Sequence, residues 1–308
     1  MKIVIYGTGG VGGFFGGRIA KAGYDVTFIA RGAHLMAIKE NGLQVKSING
    51  NFTVRPKATD DISQVKDIDL VLLAVKSWQV KDIAKKLKSV IGKDTLVLPL
   101  QNGADNADKL REILPNKNVL AGLCKIVSKV EALGIINHFD FEPIIIFGEY
   151  DNTKTERIKQ VKEIFDEAGF NNKIADDIHL EIWKKFLFIT TVSGIAALTR
   201  VVFGRLRGNV AIKEIMLQTA NEIMKIANKK GININQKDVE AAVNWFDNSE
   251  FNTTASMQRD IIDGKPSELE NFNGYIVEQG EKLRVPTPTN AFIYNCLLPQ
   301  EKVARRLL

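Results

Sequence analysis

Two cysteines, Cys124 and Cys296, are all that 308 residues contain, and they have neither metal-ligand nor redox-motif spacing. Free thiols in a reducing compartment are the expectation, with no metal site. No uninterrupted apolar run reaches the roughly 18 residues that a membrane span needs. The opening Met1-Lys-Ile-Val-Ile5 leads straight into a strand, so no cleavable leader is expected and the cytoplasm is the expected compartment. Internal repeats and low-complexity tracts are missing as well. The net charge is +6, yet acidic residues are mixed in throughout and no basic stripe with interleaved aromatics appears. Nucleic acid and membrane are therefore not the expected partners, and a lysine-biased surface or an anionic small molecule explains the surplus.

What remains is ordinary globular composition, 45% hydrophobic and 25% charged, in a length that suits two domains. The chain is organised around its start. A β-branched run, Ile3-Val4-Ile5, is broken by Gly7-Thr8-Gly9-Gly10-Val11-Gly12, which fits G-x-G-x-x-G immediately after a strand and ahead of an apolar-faced helix. The first glycine permits a tight turn, the second lets backbone N–H groups approach a pyrophosphate, and the third lets helix and strand pack closely. Unpaired N–H groups and the helix dipole then favour phosphate. The second strand, Asp25–Ala30, ends in Arg31-Gly32 with no acid beside it. A 2′-phosphate suits an arginine there and a ribose 2′-hydroxyl suits a carboxylate, so NADP(H) is expected over NAD(H).

Two alternating runs around Asn49-Gly50, within 42–56, predict a hairpin. The apolar strands Asp69–Val75 and Thr95–Leu100 predict a parallel sheet covered on both faces. They end in Lys76-Ser77-Trp78-Gln79 and Gln101-Asn102-Gly103, at the carboxyl edge where such sheets bind ligands; helix capping is the plainer use of those residues. Helices are predicted over 80–90 and 154–169. Short β-like runs between Val119 and Gly148 predict antiparallel strands completing the sheet. After Asp176-Asp177 the texture becomes helical, at 183–197, 211–229, 236–246 and 268–283. The expected organisation is an α/β Rossmann domain over 1–176 and an all-α domain over 177–308.

Within the helical half, Lys185, Ile189 and Ser193 share one helix face at i, i+4, i+8. Taken alone, Lys185 reads as a snorkelling surface group, and Ser267 with Glu268 as a helix cap and first-turn acid. Together with Gly7–Gly12, Arg31, Val75-Lys76-Ser-Trp78-Gln79, Leu100-Gln-Asn102-Gly and Trp183-Lys-Lys185, and with Ser256-Met followed by Glu268 twelve residues after the serine, these residues give the chain a different meaning. In order and spacing it resembles the ketopantoate reductase (2-dehydropantoate 2-reductase) family over nearly its whole length.

The resemblance implies a Rossmann domain followed by a helical domain like that of 6-phosphogluconate dehydrogenases. Reduction of 2-dehydropantoate by NADPH to (R)-pantoate, for pantothenate and coenzyme A synthesis, is the implied activity. It carries the general-acid lysine to Lys185 and the active-site glutamate to Glu268. The substrate contacts fall on Ser256, Asn102 and Ser193, and Asn102 also lies near the nicotinamide. Cofactor contacts fall on Gly7, Thr8, Gly9, Gly10, Val11, Gly12, Arg31, Lys76 and Gln79. The sequence departs from the family where asparagines are expected, holding Ile189, Ser193 and, by alignment, Phe203. Loss of amides that held a polar substrate leaves polar groups unpaired, so either Thr190 and Asn252 compensate or the substrate is a more apolar 2-keto acid. A non-catalytic NADP-binding module is the alternative of a different class, and retention of both Lys185 and Glu268 weighs against it. A homodimer through the helical half is the assembly considered.

Overall fold

The β-branched run after Met1 forms the middle strand of a parallel sheet in a computed structural model that describes residues 1–308. In chain order the first half contains β1 (Lys2–Tyr6), α1 (Gly10–Lys21), β2 (Asp25–Ile29), α2 (Gly32–Asn41), β3 (Leu43–Ser47), β4 (Phe52–Val54), β5 (Lys57–Thr59) and β6 (Leu70–Leu73). It continues with α3 (Val80–Leu87), β7 (Leu96–Pro99), α4 (Asn106–Arg111), β8 (Leu120–Lys125), β9 (Ser128–Ala132), β10 (Ile135–His138), β11 (Ile144–Glu149), α5 (Glu156–Glu167) and β12 (Asn171–Ile174). The main sheet runs β5-β2-β1-β6-β7, with every pairing parallel. Ile3, Val4 and Ile5, like Leu70 to Leu73, are at most 1% exposed, which explains their unbroken apolar character. Phe14, Phe15 and Ile19 of α1 pack into the same core as Ile5 and Phe28.

The hairpin forms as β3 and β4, antiparallel, with Gly50 at φ +97° in its turn. The strands between residues 119 and 148 form as well, but they do not extend the main sheet by continuous ladders. β8 joins β11 and β12 in a three-stranded sheet, and β9 and β10 join the hairpin in a four-stranded one. A single parallel bridge, Val97 to Val119, links β7 to the start of that region. The physical reason is that β9 (Ser-Lys-Val-Glu-Ala) is exposed along most of its length and serves as an edge strand, not as a buried member of the main sheet.

The chain forms two compact units, Met1–Ile178 and His179–Leu308. The second unit is helical: α6 (Ile178–Thr199), α7 (Val210–Lys229), α8 (Gln236–Asn248), α9 (Ser256–Ile262), a π-helical turn at Glu270–Gly274, α10 (Tyr275–Leu283) and α11 (Pro288–Ala304). α6 is largely apolar because it is a core helix, with Trp183, Phe186, Leu187, Ile195 and Ala196 each at most 2% exposed. Although polar residues interrupt it, its 22 residues are long and apolar enough for a membrane span, but 67% of the most apolar stretch is buried inside the protein, as in a core helix. The predicted helix over 268–283 is really two elements, the wide π turn followed by α10.

Helices α9 and α11 have no counterpart in the sequence reading. Pro288 stands in the first turn of α11, where its missing N–H costs nothing. The start of α11 is fastened by a buried carboxylate. Glu222 of α7, 6% exposed, accepts from the backbone N–H groups of Thr289 (2.8 Å) and Asn290 (2.9 Å) and from Asn290 Nδ2 (2.8 Å). These bonds satisfy helix-terminal donors that would otherwise be buried without partners.

Candidate functional site

The glycine turn joins the buried end of β1 to α1. Gly7 has φ +102°, a left-handed conformation that a side chain would strain, and its N–H donates to the Ile29 carbonyl at 3.2 Å. A Cβ on Gly12 would collide with the Gly7 carbonyl oxygen and lie 3.0 Å from Ile5, so the third glycine allows the helix to approach the strand. A Cβ on Gly9 would meet nothing within 4 Å, so the second glycine faces open space. α1 begins there with no acidic residue in its first turn, and Gly9 supplies no side-chain cap to its N–H groups. Open space before free N–H groups at a 12-residue helix suits a pyrophosphate. Gly10 has a different task, since a Cβ there would come within 2.6 Å of the Ser128 carbonyl oxygen at the start of β9. Thr8 turns inward and donates from Oγ1 to the Ile29 carbonyl at 3.1 Å.

Three further loops leave the carboxyl edge of the same parallel sheet. Arg31, exposed, stands at the N-cap of α2 just beyond β2. Burial raises the pKa of the Tyr6 phenol, at the end of β1; the positive charge of Arg31 opposes that shift and the carboxylate of Asp61 adds to it. Beyond β6, the Lys76 backbone N–H donates to Gln79 Oε1 at 3.3 Å, and Lys76 Nζ lies 5.6 Å from the Trp78 ring centroid. Ser77, 1% exposed, donates from Oγ to the Asn102 carbonyl at 2.6 Å, which ties the loop after β6 to the loop after β7. Asn106 Nδ2 holds the same carbonyl at 3.1 Å, and Gln101 Nε2 reaches back to the Leu73 carbonyl at 2.8 Å. Gly7–Gly12, Arg31, Lys76, Gln79 and Asn102 thus come to one edge of one sheet. The bonds that brace them come from Ser77, Gln101 and Asn106, which the sequence reading did not single out as site residues.

In the helical unit, Lys185 lies on α6, half-buried, with Ile189 one turn on and also half-buried. Thr190 and Ser193 are at most 1% exposed, and neither Thr190 Oγ1 nor Ser193 Oγ has a hydrogen-bond partner. Phe203 is 2% exposed, with its ring 5.0 Å from that of Phe246, so this residue fills the core. Asn252 is exposed on the loop ahead of α9. That loop is fastened to the segment after α6 by Phe203 N–H to the Thr253 carbonyl (3.0 Å) and Gly204 N–H to the Phe251 carbonyl (2.9 Å). Gln258 Nε2 adds a bond to the Val201 carbonyl at 2.8 Å. Ser256, partly exposed, opens α9 from this anchored loop.

Glu268, 5% exposed, lies two residues before the π turn, ahead of its N-cap Leu269. α6 packs directly on that turn and the start of α10: Phe186 lies 6.3 Å from Phe272 and 5.8 Å from Tyr275, ring centroid to centroid. Gly194 leaves room for the Asn273 amide, since a Cβ on it would sit 2.9 Å from Asn273 Oδ1. The helix carrying Lys185 and the turn following Glu268 are therefore neighbours in one packed core. π turns collect at functional sites because they re-aim side chains within a helix.

The family model for ketopantoate reductase PanE/ApbA matches residues 3–152, and its C-terminal counterpart matches residues 177–301. The chain belongs to the ketopantoate reductase family. An uncharacterized oxidoreductase, YkpB, of Bacillus subtilis is 28% identical over 294 residues, which cover 96% of this chain and 97% of that protein. A 2-dehydropantoate 2-reductase of Pyrococcus horikoshii is 29% identical over 303 residues, 98% of each chain. Among solved structures, a PanE/ApbA family ketopantoate reductase from Ralstonia eutropha JMP134 superposes with a TM-score of 0.91 at 29% identity, covering 99% of this chain and 100% of that one. A D-mandelate dehydrogenase solved with NADH and anilino(oxo)acetate superposes at 0.89 with 26% identity, covering 99% of each. As a member of the ketopantoate reductase family, this chain is an oxidoreductase with a Rossmann-type nicotinamide-dinucleotide fold, of a kind that acts on small keto acids.

Proposed function

We propose that this oxidoreductase reduces 2-dehydropantoate to (R)-pantoate with NADPH, a step that supplies pantothenate and hence coenzyme A. The observation that carries the reading is that α6, which bears Lys185, packs against the π turn that begins two residues after Glu268. NADPH, when bound, supplies the hydride. The chain's own part is binding, orientation and proton delivery. Backbone N–H groups at Gly10 to Gly12 hold the pyrophosphate, and Arg31 holds the 2′-phosphate; Lys76 and Gln79 line the same edge. Lys185, as the ammonium, polarises the C2 carbonyl and gives its proton to the alkoxide oxygen that forms there. Glu268 accepts a hydrogen bond from a substrate hydroxyl, while Ser256, Ser193 and Asn102 orient the rest of the molecule.

A second reading is favoured by Ile189, a half-buried aliphatic residue one turn beyond Lys185, and by the likeness to a D-mandelate dehydrogenase. In that reading the chain reduces a different, more apolar 2-keto acid. A panel of 2-keto acids, each assayed with NADPH and with NADH, separates the two. Highest kcat/KM with ketopantoate and NADPH supports the first reading, and a preference for an aryl or branched keto acid supports the second. In either, Lys185→Ala lowers kcat by about a hundredfold or more while the cofactor Kd stays within about twofold. Full activity in that variant removes Lys185 from the chemistry.

A further inference from the structure

Glu268 has an unusually complete backbone anchorage. Its predecessor Ser267, 0% exposed, has every polar atom engaged by Glu301 of α11 and by Arg305, the C-cap of that helix. The Ser267 N–H donates to both carboxylate oxygens of Glu301, at 3.0 and 3.1 Å, and Ser267 Oγ donates to Glu301 Oε2 at 2.5 Å. Arg305 Nη2 donates to the Ser267 carbonyl at 2.9 Å, and Arg305 Nε donates to Glu301 Oε1 at 2.6 Å. On the other side, the Leu269 N–H donates to Ser267 Oγ at 3.2 Å, and the Glu268 carbonyl accepts from Asn271 and Phe272 N–H groups, each at 3.0 Å. The chain is therefore tied at Ser267 by side chains more than thirty positions away, and at Glu268 and Leu269 by local bonds.

Glu301 is 2% exposed, and Arg305 is the ion-pair partner that neutralises it. A buried ion pair is poor evidence of stability, because apolar residues of similar volume often serve as well. What a carboxylate and a guanidinium supply here is direction: two acceptors and a fork of donors fit the N–H, hydroxyl and carbonyl of a single residue. A Ser267 bound in this way has one orientation, and so does the chain leaving it. We propose that Glu301 and Arg305 are positioning residues, which hold Ser267 so that the Glu268 carboxylate meets the substrate in a fixed direction. This rests on the reading of Glu268 as a substrate-contacting residue.

The test is a double-mutant cycle on the full chain, using the best keto acid of the panel and NADPH. Arg305→Ala and Ser267→Ala lower kcat/KM for the keto acid by about tenfold or more, because small displacements of an orienting group are costly, and leave the NADPH Kd unchanged. Glu301→Gln behaves likewise; should it fail to fold, the Arg305 and Ser267 variants carry the test. In a Glu268→Ala background the same substitutions cause no further loss of residual turnover. Equal losses with and without Glu268, or unchanged kcat/KM in both Arg305→Ala and Ser267→Ala while Glu268→Ala is inactive, overturn the positioning role alone. Full activity in Glu268→Ala overturns the reading of Glu268 and the positioning role with it.

Discussion

His34 donates from Nε2 to the Thr8 carbonyl at 2.9 Å, so the first residue group of α2 holds the glycine turn from outside. Its Nδ1 accepts from the Gly134 N–H at 3.0 Å, and this pair of partners assigns the neutral Nε2–H tautomer. His34→Ala leaves a carbonyl and an N–H without these partners, each worth about 1 kcal/mol. The cofactor Kd is expected to rise several-fold, with kcat at saturation little changed. Fluorescence titration of NADPH beside steady-state kinetics checks this; an unchanged Kd shows that the turn holds its shape without His34.

Gly9 and Gly12 should separate binding from folding. Gly9→Ala enters open space, so the thermal midpoint of the cofactor-free protein stays put while the cofactor Kd rises about tenfold or more. Gly12→Ala forces a methyl against the Gly7 carbonyl and costs about 1–3 kcal/mol, a fall of several degrees in Tm. Calorimetry without cofactor and titration with it distinguish the two variants.

Arg31 is the test of cofactor choice. Arg31→Ala is expected to raise KM for NADPH by about tenfold while altering KM for NADH by less than about twofold. A wild-type preference for NADH, or equal effects on both cofactors, refutes the 2′-phosphate role.

Tyr294 provides a pH signature. Burial and a hydrogen bond to Glu270 (2.9 and 3.0 Å to its two oxygens) push its phenol up to about 12. The folded-state value lies above the ordinary value of 10.0. Its contribution to stability is therefore fully present below pH ~10 and is lost as pH rises through about 12. Tyr294→Phe should unfold with a flatter pH dependence in that alkaline window. Urea midpoints measured at pH 8, 10 and 11 would show it, and parallel curves for the two proteins would deny Tyr294 this role.

The parts legible in the sequence are those whose cause is local. Gly7, Gly9 and Gly12 declare a turn within six residues, and the apolar strands and α6 to α8 follow from periodicity or continuous burial. What escaped depends on distant partners. The bonds between Ser267 and Glu301 span 34 positions, and nothing around Glu301 announces them. α11 carries two prolines, residues that argue against a helix in sequence, yet Pro288 opens it and Pro299 is tolerated inside it. Phe203, which stands by alignment where the family carries an asparagine, packs its ring on Phe246 in the core. Gly10, expected only as a cofactor contact, also yields space to the backbone of Ser128, a constraint only a folded chain displays.

The π turn at Glu270–Gly274 fixes more than a local irregularity. Each residue of an α-helix advances the chain by about 100° around the axis, so one residue more or less in that turn is a rotation. Deleting one residue between Glu270 and Gly274 would let the segment close into ordinary α-helix continuous with α10. Glu268 would then swing by about 100° about that axis, while the Phe272 and Tyr275 rings could not both keep their places against Phe186. The azimuth of the carboxylate is thus set by a count of residues, and no substitution at Glu268 itself can restore it.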